Sequence, residues 1–343
     1  MKRIIICSDG TWNGPEKLNK KQYPTNVIKF ARGIAPKDEN DVKQVVFYDW
    51  GIGSYHDSAL GGAFGKGLEK NVMDGYRFIM HNYEPGDELF LFGFSRGAYT
   101  VRSLCGLINN CHILKGEYSD KVEEAFALYK NSKHAPNGDH SNEWKSNYSI
   151  PSSGDVKFIG VWDTVGAMGL PFSLFGLIKD KHLFYDKKLG SNIKMARHAL
   201  SLDEKRKDFE PTIWEPREGT DLKQVWFAGC HADIGGSYAP DKDKTFLSDI
   251  PMMWLLKEAN VFGLQFESFL KVTDLNHNSK KHNEYKRTFK LLGRYDREIP
   301  EYRKVPTEVH SSVKNRYDDI TYKSIPIENY LKLNGGEWPP IVE

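Results

Sequence analysis

Short apolar runs alternate along this chain with longer stretches whose apolar residues recur every three or four positions. The short runs read as strands at Arg3 to Cys7, Gln44 to Tyr48, Glu88 to Phe92, Val156 to Trp162 and Gln224 to Gly229. The longer stretches predict helices over Val27 to Arg32, Gly67 to Tyr83, Gly97 to Asn109, Lys121 to Lys130 and Asn192 to Leu200. In Gly67 to Tyr83, for example, Leu68, Val72, Tyr76, Ile79 and Met80 fall near one helical face, as core-facing residues do. Strands alternating with helices are the mark of an α/β architecture: a mostly parallel sheet with helices on both faces.

Three stretches interrupt that alternation as inserted loops. Gly51 to Gly67 carries many glycines around His56, Asp57 and Phe64, which suits a tightly turning loop near a site. Asn131 to Gly154 is polar and reads as a surface insertion. Gly166 to Gly190 is apolar through Met168, Leu170, Phe172, Leu174, Phe175 and Ile178, a composition that either covers an acyl pocket or packs on the body. Ser248-Asp249-Ile250-Pro251 has the form of a helix start leading into Met252 to Ala259. Beyond about Glu267 the periodicity weakens, so residues 1–267 are read as the catalytic domain and 268–343 as a peripheral C-terminal subdomain or tail packed on the sheet.

Composition narrows the function classes. With 39% hydrophobic residues in 343, the chain can bury a full core as one large domain. Its 48 Lys and Arg nearly balance 46 Asp and Glu, which gives no electrostatic reason to expect nucleic acid as a partner. Cys7, Cys105, Cys111 and Cys230 lie in or beside core elements without CxxC spacing, as reduced thiols do, and this favours synthesis in the cytoplasm. Ile4 to Cys7 is too short for the apolar part of a Sec signal peptide, and no run reaches the roughly 18 apolar residues that span a bilayer. A membrane encounter would be peripheral, and any secretion would take a non-classical route. Nothing in the pattern fixes an oligomeric state.

The chemistry is expected at Gly93-Phe94-Ser95-Arg96-Gly97, which joins the strand ending at Phe92 to the helix-like Ala98 to Ile108. This is the form of a nucleophile elbow, in which a sharp strand-to-helix turn presents a serine and flanking glycines let neighbouring backbones pass. About 0.1 to 0.2 such matches are expected by chance in a chain this long, so the strand before and the helix after carry much of the weight. A nucleophilic serine needs a base, a carboxylate to orient that base and donors for an oxyanion. Two other strand ends supply candidates: Asp163 in Trp162-Asp163-Thr164, and His231 in Gly229-Cys230-His231-Ala232-Asp233. In an open parallel sheet, ligands gather outside the carboxyl ends of strands. The order Ser95, Asp163, His231 is that of an α/β-hydrolase, and each interval has room for a crossover plus an insertion.

The oxyanion donors are expected from the backbone of Arg96, the residue after the nucleophile, and from the turn at Gly10 and Thr11 after the first strand. Asp9 would hold that turn by hydrogen bonding or contribute to a cation site, and Asp233 competes with Asp163 for the acid role while its short spacing suits shaping the loop. Among the remaining histidines, His310 ranks next after His231 as a base.

Several separated segments together carry a resemblance: Asp9-Gly10-Thr11-Trp12-Asn13, Gly93 to Ala98, Val161-Trp162-Asp163-Thr164-Val165-Gly166, Arg197 to Glu204, and His231-Ala232-Asp233-Ile234-Gly235-Gly236. At these residues the chain resembles the type VI secretion phospholipase effectors with an α/β-hydrolase catalytic domain, and the wider bacterial and fungal family of that domain. The resemblance implies a triad of Ser95, Asp163 and His231 and ester hydrolysis, with phospholipid as a substrate class.

The leading expectation is therefore a serine-dependent carboxylic ester hydrolase acting through an acyl-enzyme, with no metal or other cofactor, on an ester or phospholipid substrate. A second reading is a metal-dependent phosphohydrolase built on Asp9, Asp163, His231 and Asp233, although Cys7 stands where paired-aspartate phosphatase loops carry their other aspartate. A third is a non-catalytic binding protein on a hydrolase scaffold.

Overall fold

The computed structural model describes residues 1–10, 13, 23–51, 62–165, 188–286, 288–301, 304–320 and 322–343. Its centre is an eight-stranded sheet in the order β2-β1-β3-β4-β5-β6-β7-β8. The strands are β1 (Arg3–Ser8), β2 (Gln44–Asp49), β3 (Glu88–Phe94), β4 (Val156–Trp162), β5 (Ile193–Ser201), β6 (Asp221–Phe227), β7 (Glu308–His310) and β8 (Ile341–Val342), and every pairing is parallel. The helices are α1 (Asn26–Gly33), α2 (Gly62–Asn82), α3 (Arg96–Cys111), α4 (Val122–Lys130) and α5 (Asp139–Tyr148). They continue as α6 (His231–Gly235), α7 (Asp249–Val261), α8 (Thr288–Leu291), α9 (Ser311–Asp319) and α10 (Ile325–Leu333). This is the α/β-hydrolase-like class that the hydropathy pattern implied.

Strand alternation sorts the core into two chemically different faces. Ile4, Ile6, Leu89, Leu91, Ile159 and Val161 point to one side, where they pack with the apolar residues of α2, α3 and α4. Their neighbours Ile5, Cys7, Phe90, Phe92, Phe94, Phe158 and Trp162 point to the other, against α1 and α7. That second face is aromatic: Phe30 of α1 meets Phe92 and Trp162 edge-on at ring centroid separations of 5.2 and 5.0 Å, the geometry aromatic quadrupoles prefer. With both faces covered, a strand shows little in–out polarity, so these strands read as continuous apolar runs.

Segment 192–200 departs from the sequence expectation. It is β5, not a helix, and lies between β4 and β6. Its Lys, Met, Ala, Arg and Leu are good helix formers, and Ile193, Ala196 and Leu200 recur at helical spacing. Burial of Ala196 through Ser201 on both faces of the sheet overrides that local preference. The stretch expected as a polar insertion contains α5, which buries Ser141 and Trp144. The predicted loop Gly51 to Gly67 lies mostly outside the described residues, as does the apolar segment Gly166 to Gly190 apart from its end. Residues beyond 267 add β7 and β8 to the sheet edge and, with Leu200, Leu202 and Trp226, build a third apolar cluster around Val309, Val313 and Tyr322. The four cysteines are buried and unbonded to one another.

The parallel register brings the functional strand ends level. Ser8 pairs with Gly93, Phe94 with Trp162, Trp162 with Ala199 and Ser201 with Phe227. Asp9, Ser95, Asp163 and the loop to His231 therefore leave one edge of the sheet side by side. The elbow fits only because of its glycines. A Cβ on Gly97 would sit 2.0 Å from the Ser8 carbonyl oxygen, and one on Gly93 would sit 2.5 Å from the Gly97 oxygen. Both clashes are with backbone, which cannot swing aside. Gly97→Ala is accordingly expected to destabilise the fold by at least about 1–3 kcal/mol, the scale of overpacking, whereas Gly116→Ala, which meets nothing within 4 Å, should fall within about 0.5 kcal/mol of wild type. Urea unfolding of the two variants checks the contrast.

Candidate active site

Ser95 occupies the N-cap position of α3 with φ 57° and ψ −119°. A non-glycine residue at positive φ stores on the order of 1–3 kcal/mol of strain and persists where its surroundings enforce it. Here the enforcement is visible: the Ser95 N–H donates to the Trp162 carbonyl at the end of β4 (3.1 Å), and the glycines on either side admit the crossing backbones.

Asp163 follows directly, also at positive φ (40°), with its N–H donating to the Ala199 carbonyl at 2.8 Å. Its carboxylate is fully buried and well supplied with donors. Oδ1 accepts from the Ser201 N–H at 2.9 Å and from an Arg297 nitrogen at 2.5 Å; Oδ2 accepts from the other terminal nitrogen of Arg297 at 3.0 Å and from His231 Nδ1 at 2.6 Å. Burial alone would raise the pKa of this carboxyl, but the Arg297 guanidinium and the His231 donor overcome it and hold the group well below the usual carboxylate range.

His231 opens α6, with its backbone N–H bound by Glu204 Oε2 at 3.2 Å. An ionised Asp163 only accepts, so Nδ1 carries the proton and Nε2 is left as the basic nitrogen. Burial is the main reason the His231 pKa lies below its ordinary value; Asp163 opposes the shift and Arg206 adds to it. The ring is thus neutral at pH 7, as a general base must be. It packs on Phe94, the residue before the serine, at a centroid distance of 4.6 Å, and edge-on to Phe209 at 4.9 Å. The imidazole is thus tied to the elbow through the Phe94 ring, and among the described residues no hydrogen bond joins Ser95 to His231.

The turn after β1 lies against the serine: a Cβ on Gly10 would stand 3.4 Å from Ser95 Cβ. The Gly10 N–H donates to its neighbour's carboxylate, Asp9 Oδ1, at 2.7 Å, so in this conformation it is engaged rather than aimed at an oxyanion. Asp9 also accepts from the hydroxyls of Thr25 and Tyr48, both at 2.7 Å, and so ties the turn to the start of α1 and the end of β2. Thr11 lies outside the described residues, and Arg96 is the first residue of α3. Asp233 is committed elsewhere: it accepts from the backbone N–H groups of Cys230 and His282 and from His282 Nδ1, which shapes the loop behind His231. His310 is far down the strand order in β7, where it stacks on Phe227 and its Nδ1 meets Ser312. Of the four residues of the metal reading, Asp163 and His231 bind each other while Asp9 and Asp233 are bonded elsewhere, and among the described residues no three His, Cys, Asp or Glu side chains form a metal-binding group.

The profile described as "T6SS, Phospholipase effector Tle1-like, catalytic domain" matches residues 2–258. The chain belongs to the Tle1-like catalytic domain family. An uncharacterized protein of Saccharomyces cerevisiae is 28% identical to it over 240 residues, which is 63% of this chain and 33% of that protein. The Tle1-like chain thus spans about a third of that relative's length. Among solved structures, the Tle1 effector bound to the VgrG spike from the type VI secretion system is 21% identical with a TM-score of 0.42, over 69% of this chain and 51% of that one. An uncharacterized protein from Pseudomonas aeruginosa is 16% identical with a TM-score of 0.46, over 80% and 48%.

Several residues that shape this Tle1-like site escape sequence reasoning. Arg297 lies in a stretch of weak periodicity. Glu204, inside one of the segments that carry the resemblance, binds the Lys205 and Arg206 N–H groups and the Arg206 guanidinium while holding His231, and Arg206 stacks on Phe209 at 3.5 Å. No local pattern announces these long-range roles.

Two neighbouring acids lie at the ends of β1 and β2, joined by the Asp9 N–H donating to the Asp49 carbonyl at 3.0 Å. Burial pushes Asp9 up to about 6 and Asp49, 3.4 Å from the Ser8 hydroxyl, up to about 7. A carboxyl whose folded pKa exceeds its unfolded value of about 3.9 binds more protons when folded. These two carboxyls therefore contribute stability that is lost as pH rises from about 4 to about 7, while the buried imidazoles of His198 and His310, lowered to about 3 and about 4, contribute stability that is gained over much of the same range. Asp49→Asn removes one share of the loss, so its stability at pH 7.5 relative to pH 4.5 is expected to exceed that of wild type, as read by urea unfolding.

Proposed function

We propose that this chain is a serine-dependent carboxylic ester hydrolase that works through an acyl-enzyme. The observation that carries this reading is the buried Asp163–His231 hydrogen bond, with the neutral imidazole packed on the residue that precedes a strained, glycine-flanked serine. Ser95 attacks the ester carbonyl while His231 Nε2 takes its proton. The Arg96 N–H at the N-terminus of α3 is our candidate donor to the developing oxyanion, where the helix dipole favours negative charge; Thr11 is our candidate for the second donor. Asp163 stabilises the imidazolium that forms. His231 then protonates the leaving alcohol, and a water deprotonated by the same nitrogen releases the acyl group.

Membership of a phospholipase effector family supports a glycerophospholipid as substrate. Among the described residues no helix is long and apolar enough to cross a membrane, and we read the encounter with lipid as peripheral. The segment from Gly166 to Ile178 is our candidate for the acyl-chain contact on sequence grounds.

The test is turnover of short acyl esters and phospholipid vesicles by wild type, Ser95→Ala and His231→Ala, with labelling by a fluorophosphonate. Ser95→Ala is expected to lower kcat by at least about 10⁴-fold and abolish labelling. The acid limb of kcat/KM should lie below the ordinary histidine value of about 6.5, because the His231 pKa is lowered. Chelator-sensitive phosphate release that survives Ser95→Ala would instead support the metal-dependent reading.

A further inference from the structure

Arg297 stands beyond residue 258, where the family match ends, yet its guanidinium reaches the centre of the candidate triad. Both side chains of the Arg297–Asp163 pair are 0% exposed. The contact is a fork: one terminal nitrogen on Oδ1 at 2.5 Å, the other on Oδ2 at 3.0 Å. The guanidinium is itself fixed from two sides, because the first nitrogen also donates to the Ser201 carbonyl at 2.8 Å and the second to the Phe209 carbonyl at 2.7 Å. With Ser201 N–H and His231 Nδ1 added, each carboxylate oxygen has two donors, which fills the lone-pair sites of the group. A carboxylate so held cannot rotate about its Cβ–Cγ bond without breaking charge-assisted bonds.

We propose that Arg297 is a positioning residue of the triad, supplied from outside the family-matched segment, that keeps Asp163 ionised and fixed in the plane from which it aligns the His231 ring. This rests on the ester-hydrolase reading above. Two effects follow. Without the fork, the carboxylate loses its fixed angle to Nδ1, and the base is misaligned toward the serine. The positive charge of Arg297 also opposes protonation of His231, so it keeps the base free at lower pH. The other charged and titratable groups around the pair are Glu204 and Arg206, which bind each other; the buried thiol of Cys230, next in sequence to His231; and His198, whose Nε2 accepts the Thr164 N–H. Arg102 in turn faces His198. None of these groups replaces the fork on Asp163.

The experiment compares full-length wild type, Arg297→Lys and Arg297→Met, with kcat expressed per site titrated by fluorophosphonate so that a reduced folded fraction does not enter. Lysine keeps the charge and loses the fork; methionine loses both. We expect Arg297→Lys to lower kcat per titrated site about tenfold or more, with KM within about twofold and the acid limb of the pH profile in place. Arg297→Met should lower kcat further and move the acid limb to higher pH, because a positive charge beside the imidazole is gone. A purely structural role predicts fewer titratable sites but wild-type kcat per site and an unmoved limb in both variants, and that result overturns the proposal. A wild type that does not label at Ser95 would instead remove the ester-hydrolase reading itself, and the two failures are told apart by that one lane.

Discussion

The site depends on a carboxylate kept charged where water does not reach. Asp163 is fully buried, and an isolated ion in such a place would neutralise itself by taking up a proton. It stays ionised because four donors from three parts of the chain converge on its two oxygens: the backbone N–H of the last residue of β5, the imidazole at the start of α6, and both arms of an arginine that arrives after β6 and α7. Every other feature of the site is arranged around that point. The His231 tautomer follows from it.

The sheet supplies the frame that makes such convergence reproducible. Parallel strands in a common register end at one level, so residues that follow different strands become neighbours without any local sequence relation. The division of the core into an aliphatic face under α3 and an aromatic face under α1 and α7 extends to the site. Phe94 is the last residue of the aromatic row, and the His231 ring lies on it. The imidazole thus meets a hydrophobic surface on one side and a charged network on the other, which accounts for a buried histidine that remains neutral.

A chain with nearly equal positive and negative charge places its strongest electrostatics inside. Asp9 and Asp49 sit below the turn that touches Ser95, and their burial favours the protonated forms; Asp163, a few residues from the same sheet edge, is driven the other way by a neighbouring cation. Carboxyl groups of one intrinsic acidity are separated by environment alone.

The amino-acid order by itself determined what depends on short range. Five of the strands, the strand and helix flanking the elbow, and the glycines at 93 and 97 are readable because periodicity and turn chemistry are properties of a few adjacent residues. Ser95, Asp163 and His231 could be named as candidates because each follows an apolar run. Only the tertiary structure decided the rest. It made a strand of Ile193–Ser201, whose helix-forming composition is overruled by burial between β4 and β6. It bound the Gly10 N–H to Asp9 and brought Arg297 from a stretch of weak periodicity into a fully buried fork. The reason is physical: an ion pair across 134 residues leaves no periodic trace in the chain, because the mutual attraction that offsets the cost of taking both charges out of water exists only once the fold has brought them together.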